Sequence, residues 1–117
     1  DYLKARQYPM HLITNGFEKT QYAKIRNSGI EPYFTHIITS EAAGIMKPHA
    51  AIFEYAIKIA GTTADVSIMI GDTLDADIEG GINAGMDTVY FNPGMTALGD
   101  IKPTFVINSL SELKTIL

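Results

Sequence analysis

The sequence predicts an α/β fold, a three-layer doubly wound parallel sheet, from three observations. Short apolar runs recur along the chain, bounded by Gly, Pro, Asn or polar residues. Single stretches of helical period separate them. The chemically loaded side chains gather where the apolar runs end, which is where open parallel sheets carry their functional groups.

The elements follow in order. Residues 1–8 read as the end of a polar helix, and residues 10–14 (MHLIT) as a buried strand between Pro9 and Asn15-Gly16. Residues 17–28 form a helix with Gly29 as its C-cap, and residues 35–39 (THIIT) are the next strand. Pro48 suits the first position of the helix that runs through AAIFEYAIKIA, because no N–H is needed there. Ile52, Phe53, Ala56, Ile57 and Ala60 give that helix one apolar face, and Gly61 ends it. Residues 66–70 (VSIMI) are the third and most apolar strand, followed by a helix over 75–84 closed by Gly85. Residues 88–91 (TVYF) and Phe105–Ile107 make two more strands. Ser109 and Glu112 have the spacing of a capping box for a last helix through Leu117.

Composition bounds the function classes. The 117 residues suit one domain, and 46% hydrophobic with 19% charged residues is the make-up of an ordinary globule. The net charge is −4 and the Lys and Arg are scattered, so the chain offers nucleic acid neither a basic stripe nor a stacking platform. The absence of Cys excludes disulfides, thiolate metal sites and cysteine nucleophiles, and fits a cytoplasmic protein. No apolar run approaches the ~20 residues of a membrane span, and no signal peptide is present. The chain opens on Asp1 rather than Met, which raises the expectation of a fragment.

Three strand ends carry chemistry: Thr14-Asn15-Gly16, the loop leading to Lys47-Pro48, and Gly71-Asp72-Thr73-Leu74-Asp75-Ala76-Asp77. A hydroxyl, an amine and clustered carboxylates on one sheet edge could hold a phosphate and a hard divalent cation. Singly, each has a plainer account: Thr14-Asn15-Gly16 as a turn, Lys47 as a solvated cation, Asp72 and Asp75 as turn and cap. Together, in order and each after a strand, they are more specific than any one of them. Asp75-x-Asp77-x-Glu79-Gly80 imitates the opening of an EF-hand loop, but its twelfth position is Met86, where the bidentate Glu belongs. His11, His36 and His49 have no metal spacing; the first two read as packing residues beside strands and the third as solvated.

The series LITNG, KPHAAIF and IGDTLDADIEGGINAGMDTVYFN resembles the second, third and fourth motifs of haloacid dehalogenase-like hydrolases, and the likeness covers roughly residues 1–108. It implies a Rossmann-like core and places the chain nearest the phosphatase and nucleotidase branch. It also implies roles. Thr14, with Asn15 and Gly16, would bind the phosphoryl group. Lys47 would neutralise phosphate and nucleophile, and Asp72 would ligate magnesium. Asp77 would support the metal or the lysine. The implied chemistry is attack by an aspartate, formation of a phospho-aspartate, and acid–base work by a second aspartate, with Mg2+ and lysine absorbing charge. Gly71-Asp72 favours phosphate chemistry over that of the metal-free dehalogenases.

Two departures qualify the likeness. No Asp-x-Asp occurs before Thr14, so the family's first motif, with its nucleophile, is absent, and so is the substrate-selecting cap. Residues 1–117 then correspond to the C-terminal portion of the core, lacking the central first strand between those ending at Thr14 and Ile70. The expected function is a portion of a magnesium-dependent phosphomonoester hydrolase, inactive alone, with the missing N-terminal segment and a small phosphorylated metabolite as partners. The alternative is a non-catalytic phosphate-binding or regulatory module on the same scaffold. A receiver-like domain has the wrong motif order, since receivers place the acidic pair before Thr and Lys.

Overall fold

The computed structural model describes residues 2–14, 18–44, 47 and 49–117. Helix α1 (Tyr2–Ala5) leads to strand β1 (His11–Thr14), helix α2 (Glu18–Asn27) and strand β2 (His36–Thr39). Helices α3 (Ser40–Ala43) and α4 (Ala50–Ala60) precede strand β3 (Ile68–Gly71). A π-helical stretch, Leu74–Glu79, runs into α5 (Gly80–Asn83), then strands β4 (Asp87–Phe91) and β5 (Phe105–Ile107) and a closing 3-10 helix, Leu110–Thr115.

Among the described residues all the pairings are parallel, as the alternation of strands and helices predicts. They fall into two sheets, β1-β2 and β3-β4-β5. His11 pairs with His36 and Thr14 with Thr39, while Ile68 pairs with Asp87 and Gly71 with Tyr90. β1 and β3 do not pair with each other. The two sheets therefore present inner edges at the place where the resemblance puts a central strand.

Helix α4 holds the two sheets together. Its Ile52 and Phe53 are fully buried and its Ala56 nearly so, packed with Ile38 of β2. Ile13 of β1 and Met69 of β3 lie against the same cluster, so one apolar helix face spans both sheets. A second cluster, Val89, Ile107 and Leu113, seals the far side of β3-β4-β5. The radius of gyration, 13.8 Å, is close to the ~13 Å of a compact chain this long.

Several boundaries differ from the sequence reading for local reasons. The third strand begins at Ile68 rather than at residue 66, because Ala64–Val66 winds into a 3-10 turn. The Ser67 hydroxyl donates to the Thr63 carbonyl at 2.7 Å, and Val66 is left 74% exposed. The helix expected over 75–84 begins as a π-helix. The Thr73 carbonyl accepts from both the Asp77 and Ile78 N–H groups, at 2.9 and 3.3 Å, which widens the first turn. The capping box of Ser109 and Glu112 forms, on a 3-10 rather than an α-helix. The expected helix-opening role of Pro48 lies outside the described residues; His49 caps α4, its Nδ1 accepting from the Ala51 N–H at 3.3 Å. At the other end, Gly61 takes φ 72°, the left-handed conformation that closes a helix with least strain.

Candidate functional site

The site builds from the carboxyl ends of β1 and β3. Ile13 and Thr14 close β1, and Gly71 closes β3 before the Asp72-Thr73 bend. The π-helical turn brings Asp77 back over the end of β3. Gly71 makes that return possible: a Cβ there would land on the Asp77 side chain. A glycine at this strand end is thus required by close approach rather than by φ.

Asp77 is 5% exposed, and a carboxylate buried so deeply needs partners for both oxygens. Its Oδ1 accepts from Lys47 Nζ at 2.6 Å, and its Oδ2 accepts from the Thr73 N–H at 3.2 Å. Lys47 Nζ also donates to the Ile13 carbonyl at 3.2 Å. One buried ammonium therefore links β1 to the turn that follows β3, at 13% and 7% side-chain exposure for the Lys47–Asp77 pair. The pairing of Lys47 with Asp72 or Asp77 that opposite charges favour is made with Asp77.

The other expected site residues are placed as follows. Thr14 ends β1, and its hydroxyl donates to Gln21 Oε1 of α2 at 3.1 Å. Asp72 is exposed beside the bend and accepts from the Thr73 hydroxyl at 3.2 Å. Asn15 and Gly16 lie outside the described residues. Asp75 is exposed and binds its neighbouring Ala76 N–H at 2.8 Å, so the Asp75-x-Asp77-x-Glu79 run splits between solvent and core rather than converging.

Asp72 has the chemistry of a magnesium ligand: an exposed carboxylate at the end of β3. Both Asp77 oxygens are engaged by Lys47 and Thr73, which suits the lysine-supporting role better than direct ligation. Among the described residues no three His, Cys, Asp or Glu side chains gather as a metal cage. Magnesium is often held by one or two carboxylates with water and phosphate, so Asp72 fits as a partial donor set.

Three contributors were not singled out from the sequence. Gln21 sits seven residues beyond Thr14, a spacing that a strand-turn-helix brings into contact. The Ile13 carbonyl and the Thr73 N–H are backbone groups, which composition cannot reveal. Two of the histidines pack as read from the sequence, on each other. His11 and His36, far apart in sequence, are register partners with rings stacked at 5.2 Å and 13°. They lie at the start of their strands, the opposite end from Thr14.

Comparison with known proteins gives one consistent picture. The family model for haloacid dehalogenase-like hydrolases matches residues 1–85. The pyrimidine 5'-nucleotidase YjjG of Escherichia coli is 39% identical over 91% of this chain and 48% of its own length. The glyceraldehyde 3-phosphate phosphatase of Pyrococcus furiosus is 35% identical over 98% of this chain and 50% of its own. The magnesium-bound crystal structure of Bacillus subtilis YfnB superposes with a TM-score of 0.91 at 39% identity, over 97% of this chain and 51% of that one. The chain thus spans about half the length of the curated relatives it matches.

Proposed function

The chain belongs to the haloacid dehalogenase-like hydrolase family, and on that premise we propose that it forms the phosphate-binding half of a magnesium-dependent phosphomonoester hydrolase. The observation that carries the reading is the buried Lys47–Asp77 pair, which fixes an ammonium between the ends of β1 and β3. A cation held there, at the strand ends that also carry Thr14 and Asp72, makes an environment for a phosphoryl group.

Each residue then has a task. Asp77 supplies the counter-charge to Lys47 and fixes its direction. Lys47 faces the phosphate oxygens and offsets charge that grows as the ester bond breaks. Thr14 donates to a phosphoryl oxygen, with Asn15 and Gly16 completing that contact. Asp72 would hold magnesium, which when bound neutralises phosphate charge, while Asp77 serves the lysine rather than the metal.

The attacking aspartate, in this reading, belongs to a segment outside the 117 residues. It enters as the strand between β1 and β3 and forms the phospho-aspartate. Support comes from the inner strand edges that do not pair with each other and from relatives about twice as long. Relatives named for a nucleotide and a triose phosphate support a small phosphorylated metabolite as substrate. The complete protein, in the same reading, works in the cytoplasm. Among the described residues no helix is long and apolar enough to cross a membrane.

The test compares the complete polypeptide with the 117-residue chain on p-nitrophenyl phosphate. The complete form should turn over with magnesium, stop on chelation and stop with Asp72→Asn, while the 117 residues alone should be inert. Robust turnover by the 117 residues would place the nucleophile within them and overturn the proposal. Phosphate binding without turnover in the complete form would leave the non-catalytic module as the better account.

A further inference from the structure

The hydroxyl of Thr14 has one proton, and in this structure that proton is given to Gln21 Oε1 across 3.1 Å in a partly buried setting. A phosphoryl oxygen offers only lone pairs. To bind one, Thr14 must turn its proton away from Gln21 and present a lone pair to it instead. A side chain that could only accept would then face that lone pair, which resists the turn. Gln21 meets both demands. Its amide carries an acceptor and a donor at equal reach, and a half-turn about its last torsion puts Nε2 where Oε1 stood.

We infer that Gln21 is a positioning residue whose reversible amide sets the direction of the Thr14 proton and so prepares the strand end for an oxyanion. The inference rests on the phosphate-binding reading above. Gln21 acts only through Thr14 and needs no contact with the substrate. Its place on α2, the helix that starts at Glu18, makes it a fixed support for a group at the end of β1. Buried polar groups tolerate few unmade hydrogen bonds, so the polarity of this pair governs whether Thr14 can donate outward.

The test uses the complete polypeptide, with inorganic phosphate as a competitive inhibitor of p-nitrophenyl phosphate hydrolysis. Gln21→Glu keeps shape and accepting power, loses the donor and adds a negative charge, whose direct repulsion of phosphate is the part of its effect that persists in a Thr14→Val background; Gln21→Leu loses both donor and acceptor. A purely structural role would make Gln21→Glu the milder change, since the carboxylate still accepts from Thr14. The positioning role reverses the order. Gln21→Glu should weaken phosphate inhibition by about tenfold and Gln21→Leu by about threefold, with melting temperatures close to the parent's, from the penalty of an unmatched hydrogen bond. Lowering the pH should narrow the gap between Gln21→Glu and the parent, because the introduced carboxyl regains a donor once it is protonated.

A Thr14→Val background supplies an independent arm. There Gln21→Leu should have no further effect on phosphate inhibition. A Gln21→Glu effect milder than that of Gln21→Leu, or an undiminished Gln21→Leu effect in the Thr14→Val background, would overturn the inference while leaving phosphate binding intact. A parent protein that neither binds inorganic phosphate nor hydrolyses the ester would overturn the phosphatase reading and this inference together.

Discussion

Replacing Asp77 by Asn tests the energetic centre of the site. The amide keeps the shape of the carboxylate, but one acceptor oxygen replaces two, so the change removes the charge and leaves an NH2 facing either the Lys47 ammonium or the Thr73 N–H. Lys47, at 13% side-chain exposure, is then an ammonium with the Ile13 carbonyl and no counter-charge from Asp77. Breaking a buried ion pair by removing one partner costs about 3–5 kcal/mol. The Ile13 carbonyl, which still accepts from Lys47, and the flexible lysine stem place this case near the low end, about 3 kcal/mol. For a chain of this size that lowers the melting temperature by roughly 10–15 °C.

The assay is urea unfolding followed by circular dichroism, on Asp77→Asn, Lys47→Met and the double variant. Lys47→Met strands the carboxylate instead and should cost a similar amount. The double variant strands neither charge, so it should be about as stable as the better single variant. Coupled residues depart from additivity by about 0.5–3 kcal/mol, and this pair belongs at the upper end. A double variant whose loss equals the sum of the two singles would refute the reasoning, because the two groups would then act independently.

Gly71→Ala should destabilise the chain by about 2 kcal/mol or more, since the added methyl meets the Asp77 side chain and forces overpacking at the strand end; thermal unfolding beside an exposed-site control such as Gly29→Ala separates crowding from the strain of positive φ alone. His11 titrates below its usual 6.5, first because burial disfavours its charge and second because His36 stands beside it, and its Nδ1 is buried without a hydrogen-bond partner among the described residues. A lowered histidine pKa means that the unfolded chain binds more protons, so stability is full above about pH 6.5 and falls as the pH drops below it. Unfolding curves at pH 7.5 and 5.5 should show that loss, and His11→Leu should flatten it; an unchanged slope in the variant would assign the dependence to other groups.

Much of the fold was legible in the sequence because its determinants are local. Alternating apolar runs and amphipathic helices fix a parallel α/β layering, since a strand buried on both faces and a helix with one apolar face can be covered in few other ways. The ends of those strands named Thr14, Lys47, Asp72 and Asp77, because residue type and order are visible without coordinates. The start of the third strand at Ile68 and the π-helical turn at Leu74–Glu79 were not legible. Both depend on which backbone carbonyl captures which N–H, a contest among near-equal local bonds that packing settles. Tertiary structure alone assigned Lys47 to Asp77 rather than to Asp72, turned Thr14 toward Gln21 and stacked His11 on His36. Each of these contacts joins groups brought together by strand pairing or by a turn, and a one-dimensional pattern carries their spacing but not their direction.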